Sequence, residues 1–264
     1  MLKKLLLVLF FFFSYCVARP FTFLQSRWYD SNKLSCSLVN NMIQDSYGFI
    51  WIGTENGLNK FDGWTFTQYL HNAKDPNSIK NNSIQSFLCD NKGRLWIGTG
   101  KGLQYYSPYN DNFLSVKFPK NEKPAVLNLL QLHSGEILAI TSGYGIFSIN
   151  PMSMKAISLN SINAICGTLY SRYALEDHLH RIWIALSNNN IVMINPVERY
   201  NKVIHLSKDR KEIITSILED RNNRLWVAAT TSLYLWDERS RTFMQIKNVD
   251  KIPFSIKNLI HCKD

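Results

Sequence analysis

Six histidines, at positions 71, 133, 178, 180, 205 and 261, are the side chains in this sequence best able to hold a metal or carry a proton. Their spacing fits no metal-ligand pattern: His178 and His180 stand two apart just after Asp177, in what reads as a solvated turn. No H-E-x-x-H, nucleophile elbow or phosphate-cradling glycine loop occurs. Carboxylate pairs such as Glu219-Asp220 fall at strand ends, where turn geometry accounts for the aspartate. No catalytic residue, metal ligand or cofactor is therefore expected, although a fold can host an enzyme without any such motif. What remains is binding chemistry. The stretches Thr54-Glu55-Asn56, Thr99-Gly100-Lys101, Ser142-Gly143-Tyr144, Ser187-Asn188-Asn189 and Thr230-Thr231-Ser232 carry amides, hydroxyls, a lysine and a tyrosine. His71-Asn72-Ala73-Lys74-Asp75 and Lys80-Asn81-Asn82 add more of the same. Such groups suit a sugar or an acidic sugar: hydrogen bonds to hydroxyls, a ring to stack on, a cation for a carboxylate or sulfate. Asn56, Lys101, Tyr144, Asn189 and His71 are the candidate ligand contacts. The plain alternative is that these stretches are polar because they are loops.

The elements that would position them repeat. Asp45-Ser-Tyr-Gly48-Phe-Ile-Trp51-Ile-Gly-Thr54-Glu-Asn-Gly57-Leu58 is matched by Asp90-Asn-Lys-Gly93-Arg-Leu-Trp96-Ile-Gly-Thr99-Gly-Lys-Gly102-Leu103. Weaker copies centre on Leu138, Trp183 and Trp226, so successive centres lie 45, 42, 45 and 43 residues apart. A period in the low forties, with β-forming residues and glycine at fixed offsets, predicts propeller blades. Each copy reads as four short antiparallel strands. Asp45 and Gly48, or Asp90 and Gly93, make the first turn; Gly57 or Gly102 closes the second. The glycine three before each centre becomes His180 and Asn223 in the last two copies, both residue types that tolerate left-handed backbone. The second turn ends in Gly57, Gly102, Gly145, Asn190 and Ser232, each followed by Leu or Ile. Blades are expected over 38–70, 83–118, 125–159, 168–206 and 212–247, with a partial sixth over 255–264. The fold class is all-β: a propeller of about five blades plus a partial sixth, forming an open, incomplete ring. Such a ring exposes apolar blade faces and strand edges and is expected to dissolve poorly by itself.

Trp51, Trp96, Trp183 and Trp226 recur at one place in the second strand, with Leu138 in the third copy. Sugar stacking is one reading. Packing between neighbouring blades is the better one, because a leucine can replace an apolar filler but not an aromatic platform.

The string from Ile43 to Gly63 closely resembles the two-component regulator propeller repeat, and the resemblance runs over residues 21–264, sharpest in the first two copies and fainter in the third and fourth. The resemblance implies the periplasmic sensor of a hybrid two-component system, which binds an oligosaccharide and controls genes for glycan use. It implies homodimers, and a membrane helix, kinase and receiver modules that this sequence lacks. Membrane contact would come only through those modules. The chain is accordingly expected to be an N-terminal fragment, with Phe21-Thr-Phe-Leu24 resembling the strand that closes the ring. The alternatives are an exported lyase or hydrolase acting on glycans, and a protein-interaction scaffold.

Bulk properties agree with an exported globular chain. Lys3 and Lys4 precede an apolar run from Leu5 to Phe13, too short to span a bilayer, and Cys16-Val17-Ala18 offers a cleavage site, so residues 1–18 read as a signal peptide and the location as periplasmic. The rival reading, a lipid anchor at Cys16, is disfavoured by Tyr15. The net charge of +10 becomes +8 without Lys3 and Lys4. Its lysines and arginines are scattered, so a generally basic surface is favoured over a nucleic-acid stripe, and a polyanionic glycan is a second option. Cys36, Cys89, Cys166 and Cys262 show no disulfide-framework spacing and are expected as buried free thiols in strands.

Overall fold

The computed structural model describes residues 33–166, 173–206 and 212–246, together with Ile256 and Leu259. The chain divides into two units, Met1–Asp30 and Ser31–Asp264. The signal peptide expected at 1–18, the strand expected at Phe21–Leu24, Cys262 and nearly all of 255–264 lie outside the described residues.

Five four-stranded antiparallel sheets follow one another. Blade one holds β1 (Val39–Gln44), β2 (Ile50–Thr54), β3 (Gly57–Phe61) and β4 (Phe66–Tyr69). Blade two holds β5 (Ile84–Cys89), β6 (Leu95–Thr99), β7 (Gly102–Ser107) and β8 (Asn112–Ser115). Blade three holds β9 (Val126–Gln131), β10 (Ile137–Thr141), β11 (Gly145–Asn150) and β12 (Lys155–Ser158). Blade four holds β13 (Ala174–Glu176), β14 (Ile182–Ala185), β15 (Asn190–Asn195) and β16 (Tyr200–His205). Blade five holds β17 (Ile214–Glu219), β18 (Leu225–Ala229), β19 (Leu233–Asp237) and β20 (Thr242–Gln245). The first strands run side by side, β1 against β5, β5 against β9, β9 against β13 and β13 against β17. Among the described residues no closed ring forms. A register shift recurs in β1, β5 and β17, where one extra residue bends the inner strand.

The core lies between blades, one apolar cluster per junction. Trp51 shares a cluster with Ile84, Leu95 and Ile97 of the next blade, Trp96 with Val126, Ile137 and Phe147, and Trp183 with Ile214, Leu225 and Val227. Trp51, Trp96 and Trp183 are 0% exposed. Trp226, on the side of blade five facing away from blade four, is only half-buried. The other end of the arc mirrors this: Met42 is 63% exposed, and Ile50 is exposed where its counterparts Leu95 and Leu225 are buried.

Each Asp-x-x-Gly turn supports its tryptophan. Asp45 accepts the N–H groups of Tyr47 and Phe49 on Oδ1 and the Trp51 indole N–H on Oδ2, at 2.9, 3.0 and 2.7 Å. Asp90, Asp177 and Asp220 hold Trp96, Trp183 and Trp226 at 2.9, 2.8 and 2.8 Å. In those three blades an arginine four residues after the aspartate donates to the same oxygen and lies over the indole ring. Blade one has Phe49 there, and Lys60 from β3 supplies the cation over Phe49 and Trp51. The turn residue three before each centre is left-handed in every blade: Gly48, Gly93, Gly135, His180 and Asn223 have φ of 90, 74, 84, 59 and 59°.

Local features add to the sequence reading or depart from it. A helix, α1 (Asn160–Cys166), fills the connection from blade three to blade four. It is too short for a clear helical period, and tertiary contact forms it: Ile162, Ile165 and Cys166 pack on the cluster around Leu138. In blade four the second turn runs from Leu186 to Asn190, ending where the repeat places it, and its left-handed residue is Asn189, at φ 62°. Cys36, Cys89 and Cys166 are free thiols, but only Cys89 sits in a strand, and only Cys166 is buried. Burial pushes the Cys166 thiol up to about 11.

Candidate functional site

Strand alternation puts the β2–β3 type of turn and the connections between blades at one end of the arc, and the Asp-x-x-Gly turns at the other. A concavity occurs at each end, and a third lies between blades four and five.

At the loop end, a cleft of about 430 Å³ opens over blade two, between the connection from blade one and the connection to blade three. Leu103, Val116 and Phe118, all buried, form its apolar floor. Lys80, Lys101, Lys117, Lys123 and His71 surround it, with Glu122 the one acidic residue among the described lining residues. The frame around these cations is fixed. Thr99 Oγ1 donates to the Gly102 carbonyl and accepts from the Lys101 N–H, so the turn carrying Lys101 is clasped at 3.0 and 3.1 Å. Val116 N–H bonds Leu103, while Lys117 donates to Met154 and accepts from Ala156, at 2.9, 2.8 and 2.9 Å. The segment from 116 to 118 is thus pinned to blade two and blade three at once. Phe118 meets Phe147 edge-on at 5.1 Å. His71 donates from Nδ1 to the Ile79 carbonyl at 2.7 Å, which leaves Nε2 the acceptor in the neutral ring. Lys80 Nζ bonds the Pro76 carbonyl at 2.8 Å. Among the described residues, Lys101, Lys117 and Lys123 are exposed and in no ion pair.

The opposite end carries a shallow hollow of about 470 Å³ lined by Gln131, His133, Glu176, His178, His180 and Glu219, among others. Its polar groups are engaged in joining blades. Gln131 accepts the Asn91 N–H at 2.7 Å, Glu176 the His133 N–H at 2.5 Å, and Glu219 the His178 N–H at 3.0 Å. In each case the last residue of one blade's first strand caps the turn of the blade before. His178 Nδ1 also meets Glu219 at 2.5 Å, and the His133 and His180 rings stand 4.5 Å apart. The described residues include no group of three or more His, Cys, Asp or Glu placed to hold a metal.

The third hollow, about 310 Å³, includes Arg181, Trp236 and Glu238 in its lining. Arg181 grips both carboxylate oxygens of Glu238, at 3.0 and 2.5 Å, and Asp177 at 2.6 Å. On the first junction, Tyr69 and Tyr106 both donate to Asp111 Oδ1 at 2.7 Å. Desolvation, then the bond to Asp111, raises both phenols well above their ordinary range. These groups tie blades together.

Of the candidate contacts read from sequence, Lys101 and His71 line the loop-end cleft together. Asn56 accepts from Asn82 at 2.9 Å in the neighbouring loop, and Tyr144 is exposed on the turn between β10 and β11; neither lines the cleft. Asn189 is 7% exposed and its amide holds the Glu212 carbonyl, so it serves the junction of blades four and five. Lys117, Phe118 and Lys123 were not singled out from the sequence: Lys117 and Phe118 close the expected blade 83–118 and Lys123 follows it, where no repeated turn marks them.

Comparison with known proteins places the repeat and the fold. The family described as Two component regulator propeller matches residues 33–56, 78–101 and 202–231. Histidine kinase P4 of Formosa agariphila is 52% identical over 46 residues, 17% of this chain and 3% of that protein. Two extracellular domains from B. thetaiotaomicron, assigned to hybrid two component systems BT3049 and BT4673, superpose with TM-scores of 0.68 and 0.69 at 21% and 19% identity. The superpositions cover 83% and 89% of this chain but 31% and 33% of those domains, so the chain spans about a third of them. Virginiamycin B lyase from Staphylococcus aureus also superposes, with a TM-score of 0.65 at 11% identity, over 88% of this chain and 76% of the lyase. Among the described residues no helix is long and apolar enough to cross a membrane.

Proposed function

We propose that this chain, which carries the two-component regulator propeller repeat and folds into its blades, is the ligand-sensing propeller of an envelope signalling protein whose ligand is an oligosaccharide. The observation that carries this reading is the loop-end cleft, where an apolar floor is ringed by hydrogen-bonding and cationic side chains on a fixed frame. Sugars need that combination: apolar ring faces pack on the floor while hydroxyls meet polar groups at the rim. The role is binding rather than turnover, since the carboxylates near the other concavities are held in blade-to-blade contacts. Export through residues 1–18 would deliver the domain to the periplasm. In the assembled receptor, a homodimer, the bound sugar would favour one of two receptor states and so set transcription of glycan-utilisation genes.

Calorimetry of the purified chain against a panel of oligosaccharides tests the reading. Saturable binding without loss of the sugar is expected. Cleavage of the sugar would point to an enzyme instead, and silence across the panel together with capture of an envelope protein would point to a scaffold.

A further inference from the structure

We infer that the loop-end cleft selects an acidic sugar, one carrying a carboxylate or a sulfate ester. The inference rests on the cleft being the ligand site, and it names the chemical class of that ligand. Three ammonium groups, those of Lys101, Lys117 and Lys123, converge on the cleft without an ion-pair partner among the described residues. Lys80 and His71 stand with them, and Glu122 is the one opposing charge among the described lining residues. Holding like charges around one concavity raises its potential, and an anion entering the cleft relieves that repulsion. The arrangement is set before any ligand arrives, because the backbone at Lys101 is clasped by Thr99 and that at Lys117 is bonded to blade three. The hollow at the other end is unsuited to the same ligand, since Glu176, Asp177 and Glu219 would face an incoming anion.

The two concavities therefore differ in sign, and this distinguishes an acidic-sugar site from a generally basic surface. A basic surface binds polyanions diffusely. A cleft binds one acidic residue, with its ring over Phe118, Val116 and Leu103 and its anion among the lysines.

The experiment is calorimetry on the full chain with three oligosaccharides sharing one backbone: neutral, uronate-containing and O-sulfated, with inorganic sulfate as a fourth titrant. An acidic arm should bind at least about tenfold more tightly than the neutral one, and its affinity should fall as salt rises. The arm that binds identifies the anion as carboxylate or sulfate. The triple variant K101Q/K117Q/K123Q should lose about tenfold or more for that arm and keep its unfolding midpoint, as exposed lysines outside any ion pair contribute little to stability. Equal binding of neutral and acidic arms, unmoved by the triple variant, would overturn the acidic-sugar inference and leave the oligosaccharide reading standing. Binding of inorganic sulfate as tight as the sulfated sugar would overturn it in favour of a bare anion site. Absence of binding by all three sugars would overturn both.

Discussion

Leu132 and Leu138 stand six residues apart in the third blade, at the two places where the other blades join an aspartate carboxylate to a tryptophan indole N–H. Both leucines belong to one apolar cluster, Leu138 among its buried members and Leu132 packed against it. The turn itself is unchanged: Leu132 N–H still bonds Glu136, and Gly135 N–H still bonds Leu132, both at 2.8 Å. The pair is replaced as a unit, and the physical reason is an asymmetry in hydrogen-bond energetics. Losing one buried partner strands the other, whereas replacing both by apolar groups leaves nothing unsatisfied.

That asymmetry can be measured in blade two. Asp90→Leu leaves the fully buried Trp96 indole N–H and the Lys92 and Arg94 backbone N–H groups without their acceptor. It should cost on the order of 2–4 kcal/mol, about 1–3 for each group that stays buried. In the double variant D90L/W96L the cost should fall short of the sum of the singles by about 1–3 kcal/mol. Urea unfolding of the four proteins gives the coupling; strict additivity would show the two residues to be independent.

Trp96 and Trp226 hold the same place in the repeat but not the same burial. Trp96→Ala should cost about 3–5 kcal/mol, as for a large core aromatic. Trp226→Ala should cost clearly less, because Trp226 has no described blade beyond it and is half-buried. Denaturant midpoints of the two variants test this, and equal losses would mean that the outer side of blade five is covered.

Gly98 marks a close approach between blades rather than a turn. A Cβ there would stand 2.8 Å from the Val126 carbonyl and collide with the Ser86 hydroxyl of β5. Blades four and five carry Ala185 and Ala228 at the same place, so the first junctions are tighter. Gly98→Ala should therefore cost about 1–3 kcal/mol by overpacking. Thermal unfolding reads it out; an unchanged midpoint would show that the second junction can open without strain.

Acid should loosen the turns through their carboxylates. At Asp220 desolvation pushes the pKa up, but the bonds from the Trp226 indole, from Arg224 and from the Asn222 backbone outweigh it and hold the carboxyl at about 2. Asp90 is lowered for the same reasons, and Glu238 chiefly by Arg181. Each is therefore more acidic folded than unfolded. Their stabilisation is complete above the unfolded value near ~4 and is lost as pH falls through the folded values. Unfolding midpoints should hold from neutral pH to about 5 and drop between about 4 and 2, with a shallower drop in Asp220→Asn. A drop that begins well above pH 5 would assign the transition to other groups.

Much of the fold was legible because a blade is built from local signals. Asp45, Gly48 and Gly57 specify turns through their own backbone preferences, and so do their substitutes His180 and Asn223. The tryptophans revealed the period but not their partner, since the Asp–Trp bond reaches from a turn across to the strand that follows. The site was half legible. His71 and Lys101 sit in loops flanked by repeated strands, whereas Lys117 and Phe118 close the expected second blade and Lys123 follows it, where no repeated turn marks them. Asn189 looked like a loop amide and is turned inward by a turn that begins at Leu186.

The sequence by itself determined the β-class, the four-stranded blade and the number of copies, because short strands and tight turns follow from residues a few positions apart. The tertiary structure alone decided which loop residues meet. Lys101 and Lys117 converge because the 116–118 segment bonds to blades two and three together, and contacts between blades are set by packing that no single copy of the repeat contains.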